Sequence, residues 1–140
     1  MKTAEKDLCC ACRLNKDIVK MLFKCELWPG SVCKCDVSIY CKPDGSKVIT
    51  VTELPWNTGI SIGRAFEILL DQVCQQFYID PERVMYFERI LERGSLVDRW
   101  FLVHFDVVDG RVCNPHWQNV NESFVRSAMT LSLIAQDRRY

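Results

Sequence analysis

Val19–Cys41 reads VKMLFKCELWPGSVCKCDVSIYC, and its apolar residues recur with period two on both sides of Pro29-Gly30. Before the turn, Val19, Met21, Phe23, Cys25 and Leu27 fall on one face and Lys20, Leu22, Lys24 and Glu26 on the other. After it, Cys33, Cys35, Val37, Ile39 and Cys41 share a face, against Lys34, Asp36, Ser38 and Tyr40. Successive strand side chains point to opposite sides, so the stretch predicts two half-buried strands joined by a turn. A helix is the competing reading for Val19–Leu27, because its lysines and Met21-Leu22 suit one.

Working outward, Lys42–Lys47 (KPDGSK) is turn chemistry, and Val48–Leu54 (VITVTEL) is a β-branched run that predicts a third strand. Ile62, Ala65, Phe66, Leu69, Leu70, Val73, Cys74 and Phe77 then recur at steps of three and four. That stripe predicts an amphipathic helix with Phe66, Leu69, Val73 and Phe77 in the core. Ser61 or Thr58 caps its start, and Asp80-Pro81 ends it. RVMYFERIL (83–91) and RWFLVHFDVV (99–108) read as strands, and Asp109-Gly110 fits a tight hairpin turn into RVC (111–113). Asn121 caps a last helix along ESFVRSAMTLSLIA (122–135), where Phe124, Ala128 and Leu131 make a short stripe. The order is β-β-β-α-β-β-β-α. It predicts a two-layer α+β fold: a mainly antiparallel sheet of 5–6 strands with two helices packed on one face. One domain over 1–140 is expected, with 1–16 a cysteine-containing N-terminal extension.

Composition narrows the function by exclusion. Lys plus Arg equals Asp plus Glu at 18 each, so no field of one sign drives nucleic-acid binding through counterion release. The N-terminus lacks the apolar run of a signal peptide, and no stretch of about 18 apolar residues predicts a membrane span. A cytoplasmic protein is expected, and in that compartment thiols stay reduced.

Seven of the nine cysteines lie between Cys9 and Cys41. Cys25, Cys33, Cys35, Cys41 and Cys74 fall on apolar faces, where a free cysteine behaves as a small hydrophobe. Cys9 and Cys12 form a C-x-x-C that, with Cys33 and Cys35, makes four thiols, enough for tetrahedral zinc. Strand positions i and i+2 lie about 6–7 Å apart, too far for Cys33 and Cys35 to share an ion without a bend. Core packing is therefore the preferred reading, with zinc and a redox pair as alternatives, and no cofactor is required.

No catalytic signature emerges. Cys113 and His116 in CNPHW lack an orienting third group. His104 reads as a surface histidine, and Gly59 and Gly63 as a turn and close packing rather than a phosphate loop. Tyr40, Tyr86, Trp100 and Leu102 fall opposite the larger apolar sets. If aligned, they form an apolar patch on an open sheet face. The sequence thus predicts a non-enzymatic interaction module that self-associates through that face, with another protein as a second class of partner. The alternatives are a small structural zinc protein and a ligand-binding or enzymatic domain with a pocket near Cys113 and His116.

Overall fold

A computed structural model describes residues 18–28, 31–55, 61–91 and 98–137. Strands β1 (Ile18–Trp28) and β2 (Ser31–Cys41) pair antiparallel, with Val19 opposite Ile39 and Cys25 opposite Cys33. A turn follows in which the Asp44 carboxylate accepts from Ser46 N–H at 2.8 Å, and β3 (Lys47–Pro55) returns beside β2. Helix α1 (Ile62–Phe77) then carries the chain to β4 (Val84–Leu91), which runs parallel to β3. A long helical crossover is what permits a parallel neighbour. β5 (Asp98–Val108) and β6 (Arg111–Val120) complete six strands in sequential order, and α2 (Glu122–Asp137) follows β6. The chain is α+β with a mostly antiparallel sheet, and its elements follow the expected order.

The residues set the helix ends. The Ser61 hydroxyl accepts from Arg64 N–H at 3.3 Å. Tyr78 adopts φ 55 at the C-cap, and Ile79 N–H closes on Cys74 O at 2.9 Å. The Asn121 side chain accepts from Phe124 N–H at 2.9 Å, capping α2. In the β5–β6 turn Asp109 and Gly110 both have positive φ, 52 and 76, as a two-residue hairpin turn requires.

The two helices lie on opposite faces, so the expectation of both on one side is corrected. Beneath α1, Phe66, Leu69, Val73 and Phe77 bury against Phe23, Val37, Ile39, Ile49, Tyr86 and Val103. Beneath α2, Val125 and Ala128 bury against Val48, Phe87, Trp100 and Leu102. The physical reason lies in β3 to β5, whose side chains are apolar on both faces and need cover on both. Helix α1 touches both edge strands, β1 and β6, so the sheet curves round it. Gly63 allows the approach at β6: a Cβ there would stand 2.9 Å from the Trp117 ring. At the β5–β6 turn the Asp71 carboxylate accepts from Arg111 Nε at 2.8 Å and from Val112 N–H at 3.2 Å.

Candidate functional site

Four polar or nucleophilic side chains gather in the core beneath α1. Register sets Glu88 between Val51 and Phe101, and Tyr86 stands two residues back on the same face. Tyr86 O–H donates to Glu88 Oε2 at 2.9 Å, while Glu88 Oε1 meets no partner among the described residues. Glu88, Tyr86, Cys25 and Cys35 are all within 1% of full burial. Burial pushes the Glu88 carboxyl up to about 8, and the Tyr86 hydrogen bond only partly offsets it. Burial, with neighbouring Cys33 and Glu88, pushes the Cys25 thiol up to about 12. Burial does the same for Cys35 and, beside Asp71, for Cys74. Thiolates are the nucleophiles and metal ligands, so these three cysteines are held in their inert form.

The cysteines on predicted apolar faces follow that pattern. Cys25, Cys35 and Cys74 are buried, and Cys33 and Cys41 are half-buried against the core. Cys9, Cys10 and Cys12 lie outside the described residues, as does Gly59. Among the described residues no group of three or more His, Cys, Asp or Glu stands close enough to hold a metal ion.

The four expected interface residues do not share an open face. Trp100 and Leu102 are buried under α2, and Tyr40 packs beside them. Tyr86 pairs with Val103 and therefore lies on the other face, fully buried under α1. This corrects the patch: α2 covers Trp100 and Leu102, and α1 covers Tyr86. Cys113 is half-buried and pairs with Asp106, whereas His116 is exposed and pairs with His104. Asn114, at φ 50, and a register shift between His104 and Asp106 separate the two pairs.

The exposed sites that remain concern the sheet edges. β6 carries Pro115, which has no N–H, and its pairing to β5 shifts register between His104 and Asp106. Both features interrupt strand addition. β1 is regular from Ile18 to Glu26, with no proline and no shift. At one point a side chain blocks it. Glu26 N–H donates to Gln72 Oε1 at 3.2 Å, and Gln72 Nε2 donates to Glu26 O at 2.7 Å. The Gln72 amide stands there as a neighbouring strand would. It also shows that the Glu26 backbone groups point away from β2. Backbone direction alternates along a strand, so those of Lys20, Leu22 and Lys24 point the same way. Leu22 is 61% exposed and Val32, opposite Glu26, 60%. Sequence reasoning missed this edge because strand order is not legible in a single chain.

No family model, curated protein or solved structure matches the chain. No helix among the described residues is long and apolar enough to cross a membrane.

Proposed function

We propose that the protein is a non-enzymatic interaction module that self-associates by antiparallel pairing of its β1 edge with the β1 edge of a second copy. The observation that carries the reading is the contrast between the two edges. β6 is interrupted by Pro115 and a register shift, whereas β1 runs regular with outward backbone groups from Ile18 to Lys24. Among the described residues no strand pairs with the outer side of β1, and an unpaired regular edge is a template for another strand. Exposed Leu22 adds apolar area on the same edge.

Charge selects the register. A two-fold axis at Leu22 would set Lys20 against Lys24, and one at Lys20 would set that lysine against its own copy. Like charges directly opposite destabilise a strand pair. An axis at Met21 sets Lys20 opposite Leu22 and Ile18 opposite Lys24, with no two lysines facing. It also leaves Glu26 and its Gln72 clip outside the paired segment. The formal charge of zero removes long-range repulsion between copies.

Leu22→Pro is the direct test. Its N–H points outward, so proline removes a donor from the edge and none from the β1–β2 ladder. Sedimentation equilibrium at tens of micromolar should give a dimer for wild type and a folded monomer for the variant. A monomeric wild type, or a variant that still dimerises, contradicts the proposal.

A further inference from the structure

The protein's two histidines are direct cross-strand partners: His104 of β5 stands opposite His116 of β6. Both are exposed. They share the face of Leu102 and Val120, beyond the area that α2 covers. Directly opposed side chains on antiparallel strands have Cβ atoms about 4.5–5.5 Å apart. Imidazole nitrogens extending from that spacing reach a common ion at metal–nitrogen distances of about 2.0–2.1 Å. The backbone beneath them is paired strand, held by Leu102–Gln118 and Trp100–Val120, so the rings are anchored at their bases.

The surroundings favour a cation. Met85 of β4 lies one step beyond the Tyr86–Val103 pair and lines an open groove with His104, Glu82 and Asp106. The groove thus sets a thioether and two carboxylates on the His104 side of the pair, not gathered with it into a larger ligand cluster, and no Lys or Arg lines it. Asn114 Nδ2 donates to Asp106 Oδ2 at 3.2 Å, fixing one of those carboxylates.

We infer that His104 and His116 form a two-imidazole clip for a divalent transition-metal ion, with water completing the coordination shell. Imidazole suits copper, nickel and zinc, and affinity in such sites is greatest for copper(II). The site lies on β5 and β6, at the opposite end of the sheet from the β1 edge. With two protein donors it is an exchangeable surface site, which accords with the lack of any larger ligand cluster among the described residues.

The experiment follows the ring resonances of both histidines by NMR while zinc(II) is added to full-length protein. Accessible thiols are alkylated beforehand, so that thiolates do not take up the metal. The two rings should shift together and saturate at one equivalent, and copper(II) should broaden both at lower concentration. His104→Asn should weaken the zinc response at His116 at least tenfold, and His116→Asn should do the same at His104. Both positions are exposed, so each variant should keep the wild-type circular dichroism spectrum. Rings that respond at different zinc concentrations would mark two independent surface imidazoles and overturn the clip. So would an unchanged His116 response in His104→Asn, or no response up to millimolar zinc.

Discussion

Glu88 should make the protein less stable as pH rises from acid to mildly alkaline, the reverse of the usual carboxylate effect. Its carboxyl is fully buried and pushed from 4.5 to about 8. Below 4.5 native and unfolded states both hold the proton. Between 4.5 and about 8 the unfolded chain releases it and the native state keeps it, so stability falls with rising pH. Each pKa unit is worth about 1.4 kcal/mol, so the full shift corresponds to about 5 kcal/mol, an upper bound that relaxation around the charge reduces. That is a large share of the roughly 5–15 kcal/mol by which domains are stable. Glu88→Gln isolates the effect, because the amide offers Tyr86 the same acceptor and never ionises. Urea unfolding of both proteins at half-unit steps from pH 4 to 9 measures the difference, and titrations common to both cancel. The variant's advantage should be constant at the acid end, grow through the interval, and level off above pH 8. A difference that stays flat from pH 5 to pH 8 would refute the argument.

Gly63→Ala sets a methyl 2.9 Å from the Trp117 ring. It should destabilise by about 1–3 kcal/mol, the usual cost of overpacking, and shift Trp fluorescence. Asp71→Ala leaves Val112 N–H without its acceptor and releases Arg111. A loss of about 1–3 kcal/mol in denaturant unfolding is expected. Cys25, Cys35 and Cys74 should resist alkylation in native protein and react on denaturation, and their raised pKa values should erode stability as pH climbs past 9. Mass spectrometry of alkylated peptides distinguishes them from the half-buried Cys33, Cys41 and Cys113.

Period and punctuation carried most of the architecture. The stripe from Ile62 to Phe77, the Ser61 cap and the Asp109-Gly110 turn are local features, and each appears where the pattern places it. The side on which α2 packs is not local. Alternation along β5 offers two apolar sets, Phe101-Val103-Phe105 and Trp100-Leu102, and says only that they part company. The unbroken run Trp100–Val103 was the available signal, since a strand apolar on both faces implies cover on both. Tyr86 joined the wrong set for a related reason. Which set of β4 aligns with which set of β5 depends on register, and the Tyr86–Val103 pairing reverses the assignment drawn from each strand alone. Glu88 was illegible because a glutamate among apolar neighbours ordinarily marks a solvated face. Only the covering helix makes it a buried acid. Trp100→Glu accordingly becomes a test of folding, since it would place a charge beneath α2.

Sedimentation equilibrium of wild type, Leu22→Pro and Trp100→Glu tests the central claim most directly, because it separates edge from face. Pairing through β1 predicts a dimeric wild type, a folded monomer for Leu22→Pro, and an unfolded or strongly destabilised Trp100→Glu. A folded, monomeric Trp100→Glu beside a dimeric Leu22→Pro would contradict it and return the interface to the sheet face.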